Sequence, residues 1–361
     1  MTKTVRLILL ASVCAVALAF GGNALAAYNP SLLTAGTSHG LGSRGPVVVG
    51  VGQGQTDDAT GVITLYAPRG YGVALTQAPG TKIGDLDAIF RVGTTPVQIE
   101  GTVTARDPGA YTNQLQFPCG EGVRHEAVWL IESTLNNTRL EIPMFVDRTV
   151  GAEAQFSSTK IKVCFASPYI PPPQGAASGA SLIVAAFSVS GVFSNPNTRG
   201  MYPWNALFIP YTPGTATLNP TNAAQSTSYT RLPIQLAVTA KKVRQGKRRY
   251  ARVTACLNEG GQAVRGVRVN ILAGRTARRT SRVAFGRTSS RGCLTRMIRL
   301  RNRTTFIRAS TLVPERDVTS APGCQPKLSA APGTLPPARC TSATLAPVLN
   351  LFSRSTVRVR R

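Results

Sequence analysis

Arg249-Tyr-Ala-Arg-Val-Thr-Ala-Cys-Leu257, Asn258-Glu-Gly-Gly261 and Val264-Arg-Gly-Val-Arg-Val-Asn-Ile-Leu272 follow one another almost without a break, and their reading decides the fold. In the last run Val267, Val269 and Ile271 alternate with Arg268 and Asn270, the period of two that gives a strand one apolar and one polar face. Two such runs on either side of a tight Gly-rich turn predict consecutive strands. Working outward, Pro233–Ala240 precedes the pair, and Val283–Arg287, Cys293–Arg301, Thr305–Leu312 and Leu349–Val359 follow it. Further upstream Val47–Val51, Gly61–Tyr66, Val97–Thr104, Glu126–Glu132, Arg139–Val146, Lys160–Ala166 and Ser181–Val192 read the same way. Long helical periodicity is missing, so an all-β chain is expected. Pro171-Pro-Pro173 and the stretch from Asn195 to Thr230, rich in Pro, Asn and Thr, read as loops.

With the stretch Ala263-Val-Arg-Gly266 and the alternation after it, the chain resembles the bacterial immunoglobulin-like modules of surface proteins. Gly286-Arg-Thr-Ser-Ser-Arg-Gly292 is similar to their threonine-turn-glycine step. The resemblance spans about residues 234–312 and fits the carboxypeptidase regulatory-like fold nearly as well. It implies a fold and no activity. The stretch 315–346, with Cys324, Cys340 and five prolines, departs from such modules and reads as an insertion tied by its own disulfide.

Charge sets the domain border. From Ala27 to Pro233 twelve basic residues balance twelve acidic ones, whereas residues 234–361 carry 27 basic residues against Glu259, Glu315 and Asp317. The expectation is therefore an N-terminal β-sandwich over 27–233 and a basic immunoglobulin-like domain over 234–361. Ahead of both, Lys3 and Arg6, an apolar run and Ala24-Leu-Ala26 make residues 1–26 a secretory signal peptide. Cys14 lies within it and follows Val13, where a lipoprotein signal wants a small residue. No later run is long and apolar enough for a membrane-spanning helix. Six further cysteines in an exported chain predict disulfides, and pairing neighbours in sequence joins Cys119 to Cys164, Cys256 to Cys293 and Cys324 to Cys340. Cys256 shares its strand parity with Arg252, and Cys293 shares its parity with Arg299 and Arg301. That bridge is expected on the solvent face, between adjacent strands.

Catalytic constellations are scarce. The two histidines are His39, beside Ser38 in a Gly-rich stretch, and His125, ahead of the strand that holds Trp129. Adjacent residues of an extended chain point apart, so Ser38 and His39 make a poor catalytic pair. On a strand, the spacing of Asp85-Leu-Asp87 would put both carboxylates on one face; because the further oxygen ligands of a calcium loop are missing, this pair and Asp57-Asp58 read as turn acids. Neither a zinc-ligand spacing nor a cofactor fingerprint occurs.

Basicity is the remaining signal. Arg252, Arg268, Arg299, Arg301, Arg303, Arg354, Arg358 and Arg360 alternate with apolar residues and are expected on solvent faces. Arg275, Arg278, Arg279 and Arg282 add a charged loop. Such a surface meets acidic cell-wall polymers, lipid headgroups or released DNA through non-specific contacts. Single-strand binders interleave charge with aromatics for base stacking; Phe285, Phe306 and Phe352 read as core, which disfavours nucleic-acid specificity. The expectation is a non-enzymatic exported or envelope-associated protein tethered by its basic domain. Alternatives are a secreted hydrolase with its site in the N-terminal domain, or a purely structural envelope component.

Overall fold

A computed structural model describes residues 28–35, 40–112, 122–135, 138–171, 175–176, 179–198, 201–232, 234–301, 304–314, 348–353 and 356–360. The expected signal peptide with Cys14, Ser38 and His39, Cys119, Arg303, Arg354 and the insertion 315–346 with Cys324 and Cys340 lie outside the described residues. No helix among the described residues is long and apolar enough to cross a membrane.

The chain is all-β. Its first half has strands β1 (Ser31–Ala35), β2 (Val47–Gly52), β3 (Thr60–Pro68), β4 (Gly72–Val73), β5 (Lys82–Val92), β6 (Thr95–Arg106), β7 (Ala127–Leu135), β8 (Thr138–Arg148), β9 (Ser157–Cys164), β10 (Ser181–Val189), β11 (Phe193–Ser194), β12 (Met201–Pro210) and β13 (Ala224–Arg231). Apart from β4 and β11, which pair with each other, they form one antiparallel sheet in the order β1-β2-β10-β5-β6-β7-β8-β9-β3-β12-β13. The sheet curls over on itself. Its end strands come together where the Leu32 amide donates to Ser226 Oγ at 2.9 Å, which shields two edges that would otherwise be open. Val51 of β2, Leu86 of β5, Ile131 of β7 and Val163 of β9 line the same small apolar gap of about 20 Å³. Strands distant in sheet order therefore face each other, and two-layer packing is achieved by one continuous sheet.

Two stretches were misread from sequence. Asp85 and Asp87 are not turn acids: they sit in β5, between β10 and β6, on the half-exposed face of a strand whose Leu86 and Ala88 are buried. Gly84 marks a bulge there, since a Cβ on it would fall 1.8 Å from the Ser188 carbonyl oxygen. The region from Asn195 to Thr230 holds β12 and β13 rather than only loop. Buried Tyr202, Trp204 and Phe208 give β12 its period-two face, which the interspersed Pro203 and Pro210 disguise.

The second half has β14 (Ile234–Gln245), β15 (Arg248–Glu259), β16 (Gln262–Ala263), β17 (Arg268–Gly274), β18 (Ser281–Arg287), β19 (Cys293–Arg299), β20 (Thr304–Pro314), β21 (Val348–Phe352) and β22 (Val357–Arg360). β15 lies between β14 and β19 in one sheet, and the other runs β18-β17-β20, with β21 and β22 on opposite halves of β20. With the short β16 set aside, the first, second and fifth strands face the third, fourth, sixth, seventh and eighth across a core that includes Val253, Ile271, Leu294 and Ile307. This is an antiparallel two-sheet β-sandwich. The β15–β16 turn is Gly260-Gly261, both with positive φ (57° and 90°), as a primed two-residue hairpin requires. Thr288 is buried and ties the loop after β18 in place, its hydroxyl donating to the Val264 carbonyl at 2.7 Å. Leu349–Val359 is two strands instead of one.

Candidate polyanion-binding surface

Strand parity places the arginines. On β15, Ala251, Val253, Ala255 and Leu257 turn into the core, so Arg252 and Cys256 turn outward. Cys256 and Cys293 stand directly opposite each other on β15 and β19 and are joined by a disulfide, with both residues half-buried on the outer face. The expected solvent-side bridge is present. Cys164 is also disulfide-bonded; its expected partner, Cys119, lies outside the described residues.

On this outer face Lys241 pairs with Arg252, and Tyr250 pairs with Arg299 one row along. Arg301 is exposed but follows the end of β19, so it does not share that strand face as the sequence implied. Arg268, Arg358 and Arg360 are exposed on the other sheet. Arg282 belongs to β18 and not to the charged loop. Glu259, the one acidic residue of this half among the described residues, is 4% exposed, so its carboxylate adds little negative potential to either face.

The aromatic residues correct the sequence reading. Phe285 is 53% exposed and Phe352 47%, so neither belongs to the core. Register explains why: Phe285, Asn270, Ser310 and Phe352 form one row across β18, β17, β20 and β21, on the outer side. Arg268 and Arg287 lie in the next row on one side, and Arg282, Leu272 and Arg308 in the next on the other. The Arg268 guanidinium sits 4.6 Å from the Phe285 ring centre, Arg308 lies 5.5 Å from that of Phe352, and Arg358 lies 6.0 Å from that of the half-buried Phe306. Charge and rings are thus interleaved on one sheet face. The missed signal was the polar parity of these phenylalanines: Phe285 alternates with Ala284 and Gly286, which offers no apolar contrast to read.

In the first half, His125 Nδ1 lies 2.8 Å from Asp147 Oδ2, and the imidazole packs on Phe145 with ring centres 4.5 Å apart. Burial alone would raise the Asp147 carboxyl, but hydrogen bonds from His125 and the Glu126 amide outweigh it and hold it below its ordinary range. The pair ties the segment leading into β7 to β8. Asp57 closes its turn by accepting from the Gly54 amide at 3.0 Å.

No protein-family model matches the chain, and no curated protein does either.

Proposed function

We propose that this is an exported, envelope-associated protein whose basic C-terminal sandwich tethers it to anionic polymers. One observation carries the reading: both sheets of that sandwich turn arginines outward, while its described acidic residue is buried. Arginine holds phosphate and carboxylate groups through paired donors, and a surface of one sign attracts any polyanion in reach. The test is to wash intact cells of the source with stepwise salt. Release of the protein into the wash as salt rises supports the tether; retention in the cytosol, or attachment that resists 1 M salt, would sink it.

A second reading concerns which polyanion is held best. The row from Phe285 to Phe352 offers rings beside guanidinium groups, and unpaired bases stack on both. Single-stranded nucleic acid is therefore expected to bind this face more tightly than duplex of equal charge. It has no groove-reading helix, so discrimination between sequences is not expected.

A further inference from the structure

Aliphatic side chains share the outer face of the β18-β17-β20-β21 sheet with the rings and guanidinium groups. Leu312 stands two residues beyond Ser310, on the side of Arg268, and is 57% exposed, while its neighbours Thr311 and Val313 are buried. Leu272 and Phe306 are half-buried on the same face, in the rows of Arg308 and Arg358. Of the large apolar side chains exposed in this half, Phe285, Leu312 and Phe352 gather here; Val283 lies at the bulge of β18 and Met297 on β19. Two guanidinium groups hold one ring, for Arg268 and Arg282 lie 4.6 and 5.6 Å from the Phe285 centre. Cation–π contact keeps these charges at the height of the apolar groups.

A gathered apolar patch marks a surface that something covers. A second copy of this face would set Arg268, Arg282 and Arg308 against their own kind, so like charge opposes self-association. Residues 315–346, which follow β20, hold two acidic residues against three basic ones and bring no net negative charge. Nucleic-acid bases stack on rings and guanidinium planes, which leaves Leu312 without a stacking partner. An anionic bilayer brings both chemistries within one layer. Its phosphates attract each arginine near the surface, and just below them begin the acyl chains, where amphipathic faces settle ~5–10 Å deep.

We propose that this face docks on the surface of an anionic phospholipid bilayer, with Phe285, Leu312 and Phe352 entering the headgroup layer and the arginines meeting phosphates. The proposal rests on the tether reading and names one envelope component that the basic sandwich holds. Leu312→Trp supplies a reporter, because the two native tryptophans, Trp129 and Trp204, are buried in the first core. The chain as exported, residues 27–361, is used, since the apolar leader would itself enter lipid. It is titrated with vesicles of phosphatidylcholine alone and of phosphatidylcholine mixed with phosphatidylglycerol. Only the mixed vesicles are expected to shift the emission to the blue; brominated lipids are expected to quench it, and added salt to reverse the shift. In sedimentation, Leu312→Asn in the otherwise unaltered chain is expected to weaken binding to mixed vesicles about fivefold and to leave single-stranded DNA binding unchanged. An emission already blue without vesicles would assign the cover to residues 315–346, and equal losses for vesicles and DNA would show that charge alone holds the lipid; either result overturns the proposal. A chain that binds DNA but not mixed vesicles in the same buffer overturns it and spares the tether, whereas one that binds neither ends both.

Discussion

His125 and Asp147 show how a histidine beside a carboxylate can be architecture. Their bond joins β7 to β8, and the lowered Asp147 pKa makes the contribution pH-dependent. A carboxyl whose folded pKa lies below its unfolded value of about 3.9 stabilises fully above that value and loses the contribution as pH falls through the folded one. Asp147→Asn is thus expected to cost roughly 1–2 kcal/mol at neutral pH, with the gap to the parent closing below about pH 4. Urea unfolding of both proteins across pH checks this, and a gap independent of pH would refute the electrostatic account. Cys256 and Cys293 act at the same scale. Their bridge closes a separation of 37 residues, so replacing both with serine is expected to remove about 3–4 kcal/mol. Denaturant midpoints measured with and without reductant test it, because reductant will lower only the parent through this bond.

At the scale of elements, a face can look like a core. β17 and β18 carry Asn270 and Phe285 side by side on the outer surface of the second sandwich, with the Arg268 guanidinium over the ring. Replacing Phe285 and Phe352 together with alanine is expected to weaken single-stranded DNA binding by 1 kcal/mol or more per lost stack, roughly fivefold each, and to leave duplex binding nearly unchanged. Both residues are exposed, so thermal stability will move little. Equal losses for the two forms of DNA would show that the rings only support the arginines. Charge reversal of Arg252 and Arg299, neighbours on the opposite sheet, tests which face leads. If the β18-β17-β20-β21 face dominates, that reversal will lower single-strand affinity less than reversal of Arg268 and Arg308.

Among the described residues the two largest apolar cores are gathered from residues 28–232 and from residues 236–359, with the Leu41 amide donating to the Gly260 carbonyl at 2.9 Å between them. Separate cores imply separate cooperative units. Residues 234–361 expressed alone under oxidising conditions are expected to unfold in one cooperative step; a molten product would show that the first core covers an apolar face of the second. The net charge of +24 on residues 234–361 also predicts a steep salt response of the intact protein. If ~6 phosphates are neutralised, affinity for duplex DNA falls about a thousandfold between ~50 and ~200 mM salt. A flat dependence would leave the tether without its force.

What the sequence determined by itself follows from local rules. Alternation on β15, β17, β19 and β22 sets which residues face water, and hence that Arg252, Arg268, Arg299, Arg358 and Arg360 are exposed and that Cys256 meets Cys293 on the solvent side. Paired glycines made the β15–β16 turn legible, because few other residues take two positive φ angles in succession. Only the tertiary structure decided matters that depend on partners distant in the chain. Asp85 and Asp87 resemble turn acids until β10 and β6 are laid on either side of them. Phe285 and Phe352 are 67 positions apart and become one row solely through the registers of β17 and β20 between them.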